Sequence, residues 1–432
     1  MSLYATDWPS SLWAQSAAPY TPSAGLAGKI TVDVVIIGGG FTGLSAAHRF
    51  VERGVKPAVL EANGIGWGAS GRNGGVVSPK FRVAIPVVAR NHGMDVARRM
   101  AALGHEAVDA VRHFVERYAI TNAALTLNGN LRCAHTSGAL DALRAEAAIM
   151  HDQFGDGTMR VLRREEMIEE TGSDDFVGGV LTADGGLIHP LNYVRGLAAG
   201  LRRRNVPIYE NTAATAVRRI GDRIVVETPS GLVEADRVLV ASNGYSDLAG
   251  GTAAVRQSVI PFRSAMVATG PLPDRGARLL KHGRSYSETR RMMRWFRPFE
   301  DRLIFGGRGA FGKSDSAAAF AALEKAMVRV FPVLKDMPVT QRWSGLVAMT
   351  LDAVPRIGRL DERTTFALGY NGAGIAMASL MGGYAADTAL GDTPDLAMLG
   401  PRKLGRVPFY SLREPGVRAV AGWYQFLDAI GR

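Results

Sequence analysis

The strongest constraint on the fold is a glycine run that directly follows a buried-strand pattern. Residues 32–37 read Val-Asp-Val-Val-Ile-Ile, which is typical of a parallel strand buried on both faces. Residues 38–43, Gly-Gly-Gly-Phe-Thr-Gly, fit the spacing G-x-G-x-x-G, and a helical pattern runs from 42 to about 53. With a further strand predicted at 56–61, this order predicts a strand–helix–strand unit that binds a dinucleotide.

Each glycine of this fingerprint has a separate physical role in such a unit. Gly38 permits the tight turn, Gly40 lets the backbone approach a pyrophosphate, and Gly43 lets the helix pack against the strand. The helix begins near Phe41 and Thr42, where unpaired N–H groups and the helix dipole favour phosphate. These residues are therefore predicted cofactor contacts.

The segment after the second strand favours FAD over NAD. Glu61 closes that strand, and its carboxylate is predicted to accept hydrogen bonds from ribose hydroxyls. Residues 64–75 then contain six glycines, together with Arg72 and Asn73, where an NAD enzyme would continue with regular strand–helix units. Such a loop can lie along an extended cofactor with its N–H groups facing it, and its polar side chains are candidate partners.

The rest of the chain alternates between helical and strand patterns without an internal repeat. Helices are predicted at 93–118, 138–154, 191–204, 317–331 and 375–390. Strands are predicted at 208–209, 213–218, 224–228, 237–241, 256–269, 292–296, 303–306 and 365–368. Because nucleotide-fold signals lie at both ends of the chain, we expect interleaved domains.

Composition excludes several classes of protein. A chain of 432 residues predicts roughly two to three domains. The single cysteine, Cys133, excludes a disulfide framework and a cysteine-built zinc site, and we expect no metal. The net charge of +11 comes from basic residues that are mostly scattered and accompany no nucleic-acid motif, so we expect no nucleic-acid partner.

The N-terminal region predicts a cytoplasmic protein with a surface arm. It lacks a basic stretch followed by an apolar one, so we expect no signal peptide. The apolar stretch 32–51 is interrupted by glycines and polar residues, which argues against a membrane span. Residues 1–29 are predicted to form an extended arm that Trp8 and Trp13 tack to the body.

Seven short strings resemble one enzyme family across nearly the whole chain. The string Ala-Ser-Gly-Arg-Asn-Gly-Gly at 69–75 is the most specific of them. The set resembles the D-amino-acid oxidase/glycine oxidase superfamily of FAD-dependent oxidoreductases, and within it the branch that contains gamma-glutamylputrescine oxidase. The strings lie at 33–40, 59–62, 68–75, 185–190, 303–307, 343–345 and 370–374.

The resemblance implies a fold and a division of the chain. The fold is α/β (α+β), with a Rossmann-type, doubly wound FAD-binding domain interleaved with a mainly antiparallel β-sheet substrate domain. The expected division is an arm at 1–29, an FAD-binding domain at 30–90, 150–250 and 345–395, a substrate domain at 91–149 and 251–344, and a tail at 396–432.

The resemblance also implies noncovalent FAD and a set of cofactor contacts. The helix after Gly374 is expected to point its N-terminus at the flavin, where it would stabilise negative charge on the reduced ring. Ala373 stands where many relatives carry histidine, so no role of that histidine is transferred. The expected contacts are Gly38, Gly40, Phe41, Thr42, Gly43, Glu61, Ala69, Ser70, Arg72, Asn73, Gly74, Gly75, Val217, Gly345, Gly372, Ala373, Gly374 and Ile375.

Amine oxidation by a flavin requires little from side chains. The substrate C–H must lie over flavin N5 and the amine should be neutral, so orientation and desolvation do most of the work. We therefore predict an FAD-dependent oxidase of a primary or secondary amine, or of an N-substituted amino acid, and name no catalytic acid or base. The imine product would hydrolyse, and O2 would be reduced to H2O2.

Candidate substrate contacts lie on the strand predicted near 292–296. Alternation along a strand places Met293, Trp295 and Arg297 on one face and Arg294 on the other. Arg297 lies in the region where amino-acid oxidases use an arginine to pair with the substrate carboxylate. The family order Pro-Arg appears here as Arg297-Pro298, and a solvent-facing strand charge is the alternative interpretation of Arg297.

Other functions remain open at this stage. The substrate is expected to be a small amine, and the carboxylate-bearing candidates are a glutamylated amine, an iminodiacid and an N-methyl amino acid. A dehydrogenase could instead pass electrons to a quinone or carrier protein, and the charge of +11 could then serve docking to a membrane surface. An RNA-modifying flavoprotein and a non-enzymatic flavin-binding module are the remaining alternatives.

Overall fold

The computed structural model of the chain describes residues 8–272, 278–310, 316–401 and 404–429. Parts of the predicted arm (1–29), substrate domain (251–344) and C-terminal tail (396–432) therefore lie outside the described residues. Within the described ranges the chain forms two eight-stranded sheets, a two-stranded sheet and the helices that cover them.

The structure contains a strand or helix at each predicted position, with shifted ends, and further elements that the patterns did not predict, among them a short helix, Ala253–Gln257, at the start of the strand predicted at 256–269. The strands are β1 (Gly28–Ile37), β2 (Pro57–Leu60), β3 (Val76–Val77), β4 (Asn130–Ala134), β5 (Met159–Arg163), β6 (Gly178–Thr182), β7 (Gly186–Leu187), β8 (Ile208–Tyr209), β9 (Ala216–Ile220), β10 (Arg223–Thr228), β11 (Gly231–Val240), β12 (Ile260–Thr269), β13 (Ser285–Glu288), β14 (Arg294–Phe299), β15 (Arg302–Ala310), β16 (Val339–Met349), β17 (Arg356–Arg359) and β18 (Thr364–Leu368). The helices are α1 (Leu12–Ser16), α2 (Phe41–Glu52), α3 (Ile85–His92), α4 (Met94–Arg117), α5 (Ser137–Phe154), α6 (Arg164–Thr171), α7 (Pro190–Arg203), α8 (Ala253–Gln257), α9 (Ala317–Val330), α10 (Gly374–Leu390) and α11 (Arg413–Ala429).

The first sheet is built around the fingerprint strand β1. Its strand order is β17-β18-β11-β1-β2-β8, and β10 and β9 continue from β11 as an antiparallel meander. Strand β1 pairs in parallel with both β2 and β11, and its residues Val34 to Ile37 are fully buried. Burial on both faces explains why this strand carries an unbroken apolar run.

The second sheet is mainly antiparallel. Its strand order is β16-β12-β15-β14-β13-β4-β6-β5, and only the pair β13–β4 is parallel among the described pairings. Together with the first sheet, whose central strands are parallel, this arrangement confirms the predicted mixed fold of a nucleotide-type domain and a β-sheet domain.

Two elements lie elsewhere than the predicted division of the chain suggests. Strands β5 and β6 fall within 150–250, the range assigned to the FAD-binding domain, but they pair with the second sheet. Helix α4 falls within 91–149, the range assigned to the substrate domain, but its apolar face joins the core beneath the first sheet. Helical and strand patterns show that a face is apolar without showing which sheet covers it.

The two faces of the first sheet are covered differently. Helices α2, α7 and α10 pack with α4 on one face in a single apolar cluster. The other face packs against the meander of β9, β10 and the first half of β11, with residues such as Val226 and Val233 between them. In the described part of the chain, no helix is both long and apolar enough to cross a bilayer.

The N-terminal arm is integrated more deeply than the sequence suggests. Residues 12–16 form helix α1, capped by the Ser11 hydroxyl, rather than an extended segment. Trp13 has 0% of its surface exposed, whereas Trp8 remains 38% exposed. Trp13 thus tacks the arm to the body, as predicted, whereas the predicted extended conformation is wrong for residues 12–16. The partners of Trp13 come from distant parts of the chain that local patterns do not reveal.

Glycine lets α2 and α10 approach within backbone contact. A Cβ added at Gly382 would collide with the carbonyl oxygen of Thr42 and lie 2.7 Å from Ser45 Cβ. The next residue, Gly383, has no atom within 4 Å of the position its Cβ would take. The position of α10 therefore depends on one glycine and not on its neighbour.

Replacing these two glycines by alanine is expected to have opposite effects. Gly383→Ala should stabilise the protein by up to about 1 kcal/mol, because alanine is the better helix former. Gly382→Ala should destabilise it by roughly 1–3 kcal/mol, because the helices must move apart. Thermal denaturation of both variants measures the difference, and equal melting temperatures would contradict this account of the α2–α10 contact.

Candidate active site

A cavity of about 740 Å³ lies between the carboxyl end of the first sheet and the second sheet. Its lining begins at Ile37 and Leu60, where β1 and β2 end, and continues to Met266 and Trp295 of the second sheet. In open α/β sheets, ligands bind in the crevice outside the carboxyl ends of the strands. The cavity therefore lies where the fingerprint predicts a ligand.

The fingerprint glycines have the geometry that the sequence predicts. Gly38 has a φ of +114°, and a Cβ there would lie 2.9 Å from Ala241 O. A Cβ at Gly43 would collide with the carbonyl oxygen of Gly38, so this position requires glycine for helix–strand packing. Gly40 lines the cavity, and only the Ser70 side chain lies near the position of its missing Cβ.

Glu61 holds the turn through its carboxylate. Its Oε2 accepts a hydrogen bond from the Gly39 N–H at 2.8 Å, and its Oε1 accepts one from the Asn63 N–H at 3.0 Å. Burial raises the pKa of this carboxyl group, while the two backbone N–H groups act in the opposite direction. Each carboxylate oxygen has a further lone pair. Because Glu61 also lines the cavity, its carboxylate can accept hydrogen bonds from a ligand as well.

Two helices begin at the cavity, and neither is capped by its own N-cap residue. The N-cap residues are Gly40 for α2 and Ala373 for α10, and neither supplies a side-chain hydrogen bond to its helix. In α2 the Ser70 hydroxyl accepts a hydrogen bond from the Phe41 N–H at 3.1 Å. A hydrogen bond of 2.6 Å between Thr42 Oγ1 and Tyr370 Oη links the two helix starts. The other first-turn N–H groups and the two helix dipoles make this end of the cavity favourable for anionic groups.

The glycine loop at 64–75 is held largely by its own polar groups. The Asn73 amide donates to Ala69 O at 3.1 Å and to Ser70 O at 3.0 Å, and it accepts from the Gly75 N–H at 2.8 Å. The Arg72 guanidinium lies 4.3 Å from the centre of the Trp67 ring. Both side chains line the cavity, but Asn73 acts first as a brace of the loop.

Two buried indoles support this loop from behind. Trp13 Nε1 donates to Asn73 O at 2.7 Å, and Trp343 Nε1 donates to Arg72 O at 3.0 Å. The Trp13 ring also packs edge-on against His189 and Phe299, with centroids 4.9 and 5.0 Å apart. The N-terminal arm thereby helps to set the shape of the cavity.

Strand β14 contributes to the opposite wall, as alternation along the strand predicts. Met293 and Trp295 line the cavity. Trp295 packs so closely over Gly74 that a Cβ there would lie 2.5 Å from the ring. Sequence reasoning missed the further wall residues Phe262, Ser264 and Met266 of β12, because a strand pattern does not reveal which sheet face borders a ligand.

The predicted substrate contacts Arg297 and Arg294 do not line the cavity. Arg297 is buried beneath the glycine loop, where its Nη1 donates to Gly75 O at 3.1 Å and to Ile188 O at 2.9 Å. Burial without a carboxylate partner lowers its pKa to about 9. Arg294 lies on the other face of β14 with its Nε 3.4 Å from Glu288 Oε1, so both assignments as substrate contacts are corrected.

Fifteen of the expected cofactor contacts line the cavity, and three do not: Gly43, Gly75 and Val217. Gly43 acts in packing, as described above. A Cβ at Gly75 would collide with Arg297 Nη1 and Ile188 O, so this glycine faces away from the cavity. Val217 packs against Gly251, and Ala214 borders the cavity in its place.

Comparisons with known proteins agree with this geometry. Residues 33–388 match the family described as DAO, FAD dependent oxidoreductase. The chain is 32% identical to gamma-glutamylputrescine oxidoreductase of Escherichia coli over 432 residues, which cover 99% of this chain and 100% of that protein.

Solved structures show the same fold. Glycine oxidase from Geobacillus kaustophilus matches with a TM-score of 0.71 and 21% identity, covering 86% of this chain and 99% of that one. Iminodiacetate oxidase from Chelativorans sp. matches with a TM-score of 0.69 and 17% identity, covering 85% of this chain and 98% of that one.

Arg297→Lys is expected to destabilise the protein rather than to change substrate choice. Lysine cannot reproduce the forked contact with two carbonyl groups, and the loss of buried hydrogen bonds to a charged group costs about 2–3 kcal/mol. Thermal denaturation tests this, with the exposed Arg329→Lys as the matched control. A variant of native stability that loses only carboxylate-bearing substrates would restore the original assignment of Arg297.

Trp13→Phe is expected to weaken cofactor binding while preserving the fold. Phenylalanine retains most of the packing but cannot donate to Asn73 O, and one net hydrogen bond is equivalent to about a two- to tenfold change in the dissociation constant. Fluorescence titration of the apoprotein with FAD measures the effect. Trp423→Phe, at a position of α11 that is 58% exposed, is the control, and equal affinities for both variants would contradict the proposed support of the loop.

Proposed function

The chain belongs to the family of FAD-dependent oxidoreductases, and we propose that it is an oxidase of a primary or secondary amine or of an N-substituted amino acid. The observation that carries this proposal is that several segments of the chain, distant in sequence, border one cavity. The fingerprint helix α2, the glycine loop and the start of α10 border one cavity, which continues to the wall formed by Met293 and Trp295. A cofactor site and a substrate site would thus share one enclosed space.

The residues present fit FAD. The N-terminus of α2 and the backbone around Gly40 suit a pyrophosphate, and Glu61 suits a ribose. Gly372 has a φ of +100°, and no atom lies within 4 Å of the position of its missing Cβ, so the backbone before α10 can approach a ring closely. Gly345 and Ile375 complete the lining on this side.

Noncovalent attachment is part of the proposal. Cys133 lies buried in β4, within the core of the second sheet, and does not line the cavity. Burial also raises the pKa of its thiol well above the usual value, which makes a reactive thiolate unfavourable. Denaturing the holoprotein should therefore release free FAD into the supernatant.

When bound, FAD would supply the acceptor at N5 for a hydride from the substrate C–H and would pass the two electrons to O2, giving H2O2. Water would hydrolyse the imine to a carbonyl compound and, for a primary amine, ammonia or, for a secondary amine, an amine. The residues of the chain orient the substrate and exclude water. Met266, Met293 and Trp295 form an apolar wall, which disfavours the charged ammonium form of an amine. The N-terminus of α10 would stabilise negative charge on the reduced ring.

A substrate that carries a carboxylate is the favoured class. One relative is named for gamma-glutamylputrescine and a structural neighbour for iminodiacetate, and both of these amines bear carboxylates. Arg297 and Arg294 do not line the cavity, so a carboxylate would have to be bound by other residues.

An anaerobic titration tests the function. A panel of glutamylated diamines, iminodiacids, N-methyl amino acids and both enantiomers of common amino acids would be added to the purified holoprotein. We expect at least one carboxylate-bearing amine to bleach the visible flavin band. Air should then restore the band rapidly, with one H2O2 formed per amine oxidised.

Each other outcome has a distinct meaning. A protein that cannot be reconstituted with FAD contradicts the cofactor assignment. Reduction that is reversed slowly by air but rapidly by a quinone identifies a dehydrogenase instead of an oxidase. A yellow protein that no amine of the panel reduces contradicts the proposed substrate class.

A further inference from the structure

The cavity extends beyond the glycine loop to a second polar region. Residues 78–85, which follow β3, form one wall of this extension. The opposite wall comes from β4, β6 and α5, and it includes Arg132, Glu146 and Thr182. We refer to this part of the cavity as the distal region. None of its residues belongs to the fingerprint, the glycine loop or α10.

Lys80 lines the distal region without an ion-pair partner. In the part of the chain that the structure describes, Lys80 Nζ forms no hydrogen bond, and Glu146 and Asp156 act on it only through their charges. The nearby carboxylates are already engaged, since Glu146 pairs with Arg132 at 2.7 Å and Asp156 accepts from the Thr158 N–H at 2.9 Å. Burial, together with Arg132, lowers the pKa of Lys80 to about 7.

Thr182 presents a second unsatisfied polar group to the same region. It is 1% exposed, lies on β6 between β4 and β5, and its Oγ1 has no hydrogen-bond partner. The neighbouring Asn130 cannot serve as its partner, because its Nδ2 donates to Val77 O at 3.1 Å and to Asp184 O at 3.0 Å. Buried polar groups are rarely left without a hydrogen-bond partner unless a ligand or a water molecule supplies one.

An anionic ligand group suits both of these residues. An ammonium group can only donate, and a hydroxyl group can donate, so the oxygens of a carboxylate match them. A cationic ligand group would instead be repelled by Lys80, and Arg132 is already neutralised by Glu146. Met150 and Met159 line the same region and offer apolar contact to a methylene chain.

We propose that Lys80 and Thr182 form a subsite for a carboxylate at the end of an elongated amine substrate, remote from the amine that is oxidised. The proposal rests on the proposed function for the position of the reacting amine. Lys80 follows Gly74 of the glycine loop by six positions, so the two lie at most about 20 Å apart, within reach of an elongated substrate. Such a substrate would bridge the cavity rather than present its carboxylate next to the reacting carbon.

A matched pair of substrates tests the subsite. N-(4-aminobutyl)glutaramic acid carries a terminal carboxylate, and its terminal carboxamide has the same length without the charge. Rapid-mixing measurements of flavin reduction give the dissociation constant and the limiting reduction rate for each. The wild-type holoenzyme should bind the acid at least tenfold more tightly than the amide.

Variants test which residues cause the preference for the acid over the amide. Lys80→Met should weaken binding of the acid roughly 10- to 100-fold and abolish the preference for acid over amide, whereas Lys80→Arg should retain much of it. Thr182→Val should reduce the preference by roughly two- to tenfold. Lys325→Met removes the same charge from an exposed position of α9 and should preserve the wild-type preference.

A binding measurement separates failure of the subsite from failure of the proposed oxidation. N-butylglutaramic acid has no amine to oxidise, so its affinity for the holoenzyme can be measured by calorimetry whether or not any substrate reduces the flavin. A loss of at least tenfold in Lys80→Met, with no such loss in Lys325→Met, supports the subsite. Equal affinities for wild type and Lys80→Met would overturn it.

Discussion

A buried guanidinium joins the two walls of the cavity. Arg297 belongs to β14 of the second sheet, and it donates to the carbonyl groups of Gly75 and Ile188, where the glycine loop leaves for β3 and where β7 ends. A planar group with five donors can bind several carbonyl oxygens at once, which a lysine cannot do. The cation is desolvated without a carboxylate, so its stability depends on these oxygens remaining in place. The loop geometry and the position of the second sheet are therefore set together.

At the end of the cavity where α2 and α10 begin, the backbone contributes to the electrostatics. Neither helix is capped by its own N-cap residue, and Gly382 lets the two pack at backbone distance. Their N-terminal dipoles therefore act on the same space. The close packing at Gly382 thus helps to bring two helix N-termini to the place where an anionic cofactor would bind.

Sequence patterns predicted the elements well because their periods are local. The fingerprint, the strand faces of Met293 and Trp295, and the helix after Gly374 all depend on residues within one or two turns of each other. Contacts between distant segments were not predictable in this way. Trp13 bonds to a carbonyl 60 residues away, and Arg297 meets a loop more than 200 residues away, so neither partner could be deduced from spacing. Alternation along β14 predicted the correct face of the strand for Arg297. It did not show whether a ligand or the glycine loop packs against Arg297 on that face.

The distal region shows why an enzyme of this kind benefits from a cavity larger than its reacting centre. Hydride transfer needs a C–H bond held in one orientation, and the apolar wall at Trp295 offers no directional contact to hold it. Binding energy from a remote group can supply that orientation, because it is available before the reaction and does not depend on the reacting atoms. Lys80 follows the glycine loop by a few residues, and Arg297 fixes that loop against the second sheet, which carries Thr182. A remote carboxylate held between them would therefore be positioned by the same contacts that position the loop.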